Sequence, residues 1–375
     1  MRRRANSRGV AAGLVLPMLV VLSLSIGVLA YQIVTSARKT TRFLHKQRAI
    51  DLAQAGSEDA LFWFRRQEPL PVEIFSPTSE DSQDPSRGIL RKVVIDEQNR
   101  VKGVYIVEKS LTRDITAERG EIGAGWLWKV SSRGVVYHEE NPALGFDQAP
   151  NVIVEDVRIT TEIRMLNINP TVDAAVVIEN GGQFTVESNG QVYGGNPGTG
   201  IPAICYKTTG SGPKIYGDVR GDPNSKRYAD LKLDARDIFG LDKATLRNLA
   251  DYITEEGAQG LPRNLPDFAL IFIQGDATFT MQHPLNGGGI LFVDGNLTLA
   301  SGSASSFTGM IYCTGTIQFN TPSWIEGQVV ALKGGKVGTG GYDKATVLYN
   351  KDVLQLVVQL IGNYRKKRTY TLESL

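Results

Sequence analysis

Two cysteines, three histidines and four tryptophans in 375 residues leave the chain short of the groups from which most sites are built. Cys205 and Cys313 are too few for a disulfide framework or a four-ligand zinc site; they either form one bridge or remain two buried thiols. His45, His138 and His283 are scattered, with no nucleophile motif or metal spacing beside them, so no enzyme activity, metal or other cofactor is expected. Net charge is +2, which provides no field for nucleic acid, and no nucleic-acid partner is expected. The glycine clusters 194–200 and 334–341 lack the Lys-Ser/Thr and helix of a phosphate loop and read as turns. Charge is missing altogether between Val10 and Val34.

That uncharged run is the first positive feature. In helical form it would measure roughly 37 Å against about 30 Å of bilayer hydrocarbon, so a transmembrane helix is expected over 10–34. Arg2, Arg3, Arg4 and Arg8 precede it, while Arg38, Lys39, Arg42, Lys46 and Arg48 follow, so the positive-inside count is almost tied. The short N-terminal tail favours a cytoplasmic N-terminus. Val28-Leu29-Ala30 supplies a competing reading, a secretory signal cut before Tyr31. Phe43, Ile50, Ala53, Ser57, Ala60, Leu61 and Phe64 then recur at helical spacing, giving an amphipathic stalk helix over 35–66. Within it Ala53, Ala55, Gly56 and Ala60 would let another helix approach closely.

These residues carry a resemblance. A basic residue and glycine (Arg8-Gly9), an immediate apolar helix and a small-residue stripe resemble a minor type IV pilin. More narrowly they resemble the PilX-like pilus-assembly group and the K-type minor pseudopilin of type II secretion. The resemblance implies cleavage by a prepilin peptidase between Gly9 and Val10, and packing of the helix into a filament with other pilin-like subunits and the pilus or secretion machinery. Leu14 stands where major pilins carry a glutamate, which fits an assembly or tip subunit better than a filament shaft; Val10 in place of the usual phenylalanine is a departure from the cleavage motif.

Residues 67–88, with four prolines and five carboxylates, read as a linker. Residues 89–166 turn to strands. Two β runs flank a turn at Asn99, GWLWKVSSRGVVY is a hairpin candidate across Ser131–Gly134, and Val157, Ile159, Thr161 and Ile163 alternate with polar residues as in a half-buried strand. A small antiparallel sheet resting on the helix is expected.

The C-terminal half repeats. IFIQGDATF, LFVDGNLTL and IYCTGTIQF, starting at Ile271, Leu291 and Ile311, align at twenty-residue intervals, with Gly275, Gly295 and Gly315 in one column and Gly335 continuing it. A parallel β-helix over 167–350 is expected, with those glycines at tight corners, Phe279, Leu299 and Phe319 in one ladder, and Ile273, Val293 and Cys313 in another. An insertion at 222–266 would place a helix over Asp242–Ile253 across its face. Residues 351–375 would supply a helix capping the open end, then the solvated basic tail Arg365–Arg368. Asp276 and Asp294 fall in different ladders, short of a glycosidase carboxylate cluster, and nothing identifies a surface-glycan ligand.

The expected protein is therefore α+β, mainly β: a basic leader (1–9), a transmembrane and stalk helix, a small antiparallel sheet, and a parallel β-helix solenoid with its insertion and capping helix. Its expected place is the bacterial inner membrane, single-pass, with the bulk periplasmic or extracellular on a pilus. Its expected role is that of a non-enzymatic minor pilin-like subunit. A static anchored or secreted β-helix surface protein and a β-helix carbohydrate enzyme are the alternatives.

Overall fold

The computed structural model describes the chain apart from residues 1–7, 122–123 and 209, and leaves undescribed the side chains at 8–17, 19–21 and 23. One helix, α1 (Arg8–Arg66), dominates the N-terminal part. It stops just before Pro69 and Pro71, which lack the N–H a further helical turn needs. The C-terminal half of α1 lies on an antiparallel sheet whose strand order is Gly88–Asp96, Val101–Glu108, Leu127–His138, Val152–Met165 and Tyr364–Ser374. Trp63 and Phe64 from the helix, Phe75 from the following loop, and Trp128 and Tyr364 from the sheet close the apolar layer between them.

Glycine explains how closely the two layers meet. A Cβ at Gly134 would stand 2.1 Å from the Ala49 carbonyl oxygen, and one at Gly56 would stand 2.2 Å from the Ser132 hydroxyl. Gly134 therefore marks a backbone-to-backbone approach inside one continuous strand. The hairpin expected across Ser131–Gly134 does not form, because a glycine in a strand can serve close packing as well as a turn.

Residues between Met165 and Tyr364 build two parallel sheets. One runs Tyr252–Thr254, Ala269–Gln274, Asn286–Asp294, Ser305–Cys313, Ser323–Ala331, Ala345–Leu348, Gly190–Tyr193 and Asp218–Arg220. The other runs Ala277–Phe279, Leu297–Leu299, Ile317–Asn320, Gly335–Thr339, Phe184–Val186 and Lys214–Ile215. In-register pairing stacks like on like. Phe272, Phe292 and Tyr312 form a ladder with successive centroids 4.8 Å apart, and Phe239 packs edgewise on Tyr312. Gly289, Gly309 and Gly327 stand in register with φ of 116°, 140° and 131°, a bend that L side chains rarely adopt.

The expected architecture needs correcting in two respects. The molecule is mostly sheet with one long N-terminal helix, and no helix among the described residues is long and apolar enough to cross a membrane. The transmembrane helix over 10–34 and the single-pass inner-membrane placement built on it are therefore withdrawn. The leader at 1–9 lies almost wholly outside the described residues.

The solenoid is withdrawn too. A solenoid adds each unit beside its predecessor. Here Ser323–Ala331 pairs with both Ala345–Leu348 and Val176–Ile178, so the earliest strands of this half stack against the latest ones. The twenty-residue column also breaks, since Gly335 pairs with Ile317 and not with Gly315.

The helices shift accordingly. Residues 222–266 supply α2 (Ala235–Phe239) and α3 (Lys243–Leu249), and the expected helix ends early because Tyr252–Thr254 pairs as a strand with Ile271–Ile273. Helix α4 (Lys351–Ile361) starts at Asn350, whose side-chain oxygen accepts from the Asp352 and Val353 amides. It packs across Asn286–Asp294, Ser305–Cys313 and Ser323–Ala331 and does not cover an end of the sheet. Arg365–Arg368 belong to the last antiparallel strand. The Arg365 side chain is buried and binds Asp251 at 2.7 Å, which a solvated tail would not do.

Candidate functional site

The feature that organises the chain is α1, and its two halves differ. From Ala49 onward a stripe of small side chains faces the sheet, with Ala49, Ala53 and Ala60 fully buried, and Gly56 against Ser132 and Tyr105. The stripe expected to receive another helix is thus occupied by the chain's own sheet, and Ala55 alone of the four residues faces solvent. Asp59 fixes the register of helix on sheet, accepting from Arg91 Nε at 2.9 Å and from the Tyr105 hydroxyl at 3.1 Å. Burial, with Asp59 beside it, pushes the Tyr105 phenol up to about 12.

The last strand clasps the same helix from the other side. Arg65 Nε donates to the Tyr364 carbonyl at 2.7 Å, Lys366 Nζ donates to Ser57 at 3.1 Å and pairs with Glu58, and Gln54 donates to the Tyr370 hydroxyl at 3.3 Å. The buried Tyr364 hydroxyl in turn accepts from the Val72 amide and donates to the Gly125 carbonyl. At the opposite end of the contact, His45 is buried against the sheet with Nδ1 unpartnered among the described residues. Burial first, then Arg48 and His138, holds its pKa below the usual histidine value, against a smaller opposing effect of Glu155.

Towards the N-terminus the helix leaves the sheet. Met18, Leu22, Leu24, Ile26, Tyr31 and Ile33 are all more than half exposed, a run of large apolar side chains with no cover from the chain itself. Gly9 and Val10, the expected processing site, have no described side chains.

The remaining sequence-based residues do not converge on α1 or on one another. Gly275 and Gly335 have positive φ, 97° and 145°, but no positive φ occurs at Gly295 and Gly315; there a Cβ would strike the backbone of Gly275 at 2.4 Å and the side chain of Asn296 at 2.5 Å. Cys205 and Cys313 are free buried thiols on separate strands, and burial pushes them up to about 12 and about 11. Asp276 accepts from the Asn296 amide at 2.7 Å and from its side chain, bonds that hold the carboxyl below the usual range. Asp294 is engaged by Lys243 at 2.7 Å. Each carboxylate is spent on a structural neighbour. Sequence reasoning missed Gly103 and took Gly134 for part of a turn, whereas both set the helix-to-sheet distance; a glycine inside an otherwise β-rich run was the available signal.

No protein-family model matches the chain, and no curated protein does. The chain has a distant structural similarity to the competence-associated pilin ComZ from Thermus thermophilus, with 11% identity over 88% of this chain and 98% of that one, and a TM-score of 0.22. A likeness of that size settles neither fold nor function.

Proposed function

We propose that the chain is a structural, non-enzymatic, pilin-like subunit that takes part in assembling a type IV pilus or a related secretion or competence pseudopilus, as a minor or tip component. The observation that carries this reading is the division of α1 into a half buried on its own sheet and a half with bare apolar side chains from Met18 to Val34. Apolar surface on that scale is stable only when covered, and helices of neighbouring subunits match it in shape and chemistry. The Arg8-Gly9 start and Leu14 agree with a minor subunit, and the large parallel sheets make a bulky head better placed at a tip than within a shaft. Processing by a prepilin peptidase between Gly9 and Val10 belongs to the same reading.

Filaments sheared from producing cells should contain the chain, beginning at Val10, and deleting its coding sequence should lower filament number. Filaments that lack the chain and persist in normal number after the deletion would sink the proposal.

A further inference from the structure

The outward face of the larger parallel sheet carries a row that a strict twenty-residue spacing hides. Ser306 pairs with Trp324, eighteen residues on, and the row reads Asn286, Ser306, Trp324, Thr346, Gln191 and Asp218 across six strands. The adjacent row of Phe307, Ile325, Val347 and Val192 is fully buried, so by strand alternation this one points away from the core. Trp324 is 45% exposed, whereas Trp63 and Trp128 are 2% and 3% exposed. It is not an isolated apolar side chain. Tyr342 and Tyr216, also exposed, stand in the turns that lead into Ala345–Leu348 and Asp218–Arg220, at the same end of the strands.

The groups around the indole are polar and uncharged. Asn286 and Ser306 are exposed on one side, with the Asn286 side-chain oxygen accepting from the Ser306 amide at 3.2 Å. On the other side the Thr346 hydroxyl donates to Gln191 Oε1 at 3.0 Å, which holds that amide in one orientation. The nearest charges are spent within the face. Glu326 accepts from Asn350 Nδ2 at 2.6 Å, and Asp218 is held by Arg220 and by the Tyr193 hydroxyl, each at 2.9 Å. The smaller parallel sheet supplies an internal comparison. Its outward row is Thr278, Thr298, Gln318, Lys336, Thr185 and Lys214, equally polar but with two cations and no aromatic.

We propose that this face binds an uncharged polysaccharide laid across the strands, with one sugar ring stacked on the Trp324 indole and neighbouring hydroxyls bonded to Asn286, Ser306 and Gln191. A sugar ring presents a C–H face to the electron-rich face of an indole, and a rim of hydroxyls that need both donors and acceptors. Tryptophan flanked by Asn, Ser and Gln supplies all three. Strands stand about 4.8 Å apart, close to the length of one sugar unit, so successive units of an extended chain meet successive strands. A nucleic acid would also stack on the aromatics, but its phosphates need cations and this row holds none. A protein partner would need a contiguous apolar patch, which one indole ringed by amides and hydroxyls does not form. The binding uses the head alone and is independent of the pilin-like reading.

The test uses the full chain in a detergent that has no sugar headgroup. The probes are an array of neutral glucose, mannose, galactose and N-acetylglucosamine oligomers, with uronic-acid chains, sulfated chains and single-stranded DNA as the other arms. Binding to at least one neutral oligomer, retained at high salt, is expected, and adding that oligomer should protect tryptophan fluorescence from acrylamide quenching. Trp324→Ala should weaken the binding about tenfold, the worth of one aromatic contact, and Trp324→Phe should weaken it less. Gln191→Ala should weaken it slightly, whereas Gln318→Ala, on the smaller sheet, should leave it unchanged. Trp324 is exposed, so the urea midpoint of Trp324→Ala should match that of the unsubstituted chain, which separates lost binding from lost fold. Binding confined to the anionic chains or to DNA, binding indifferent to Trp324→Ala, or no binding to any neutral oligomer would overturn the proposal. None of these outcomes bears on whether filaments contain the chain.

Discussion

The antiparallel sheet and the parallel pair of sheets solve burial in different ways. The antiparallel sheet is covered by α1 over much of one face, and its strands carry many ion pairs: Arg133 with Asp156, Arg158 with Glu108, Arg164 with Glu121, and Arg119 and Lys367 with Glu162. The parallel sheets are held by ladders of identical or similar apolar side chains, almost all of them fully buried. The first region depends on one close backbone approach and many weak charge contacts; the second depends on packing repeated from strand to strand. Most of these pairs are partly buried and depend on ionised carboxylates, so the antiparallel region is the more sensitive of the two to pH.

The comparison is most directly broken in the aromatic ladder. Phe292 is stacked between Phe272 and Tyr312 and is fully buried. Phe292→Ala should cost about 3–5 kcal/mol, seen as a lower midpoint in urea unfolding. A cost below about 1 kcal/mol would mean that the ladder does not hold the parallel sheets together.

A smaller loss, about 1–3 kcal/mol, is expected from Gly134→Ala, because the new methyl must displace the Ala49 carbonyl or the helix. The near-UV signal of Trp63 and Trp128 should change with it. Gly210→Ala is the paired control, since neither Gly134 nor Gly210 has a positive φ and Gly210 has open space around its Cβ position. Equal losses at the two positions would mean that helix–sheet contact is not what sets the cost at Gly134.

The subtlest expected effect is a pH dependence. His45 has a folded-state pKa below its unfolded one, so the unfolded chain binds the proton more readily. Stability should therefore be intact above the usual histidine value and fall as pH drops through it towards the folded value. His45→Leu should flatten that slope in urea midpoints measured from pH 8 to pH 5. An unchanged slope would place the titrating group elsewhere.

Local patterns were the most legible part of the sequence. The alternation in Val157–Ile163 matches the buried positions of its strand, and segments aligned by repeat, such as those containing Phe279, Leu299 and Phe319, sit in register because parallel pairing rewards identical spacing. Long-range order was not legible. Nothing local in Val176–Ile178 tells it to pair with Val329–Ala331. The same limit explains the misread stripe on α1. Small residues announce a close approach, but Ala53 and Gly56 do not say whether helix or sheet will arrive. The cut proposed at Gly9 and Val10 is a matter of recognition by another protein, to which packing in this chain gives no clue.

The entry of the chain into the middle of its own parallel sheets has a consequence in time. Gln191 contacts Thr346 across 155 residues of sequence, and Val176–Ile178 waits for Ser323–Ala331. While the chain emerges from the ribosome, its first parallel strands have no late partner, and their edges stay open until almost all of the remainder has been made. At about 5–20 residues per second that interval lasts on the order of ten seconds or more, far longer than a hairpin needs to close. Completion of the head is therefore a late, nearly all-or-none event. A chain released before the Ser323–Ala331 strand exists would present unpaired strand edges to its surroundings, the condition under which chains associate wrongly.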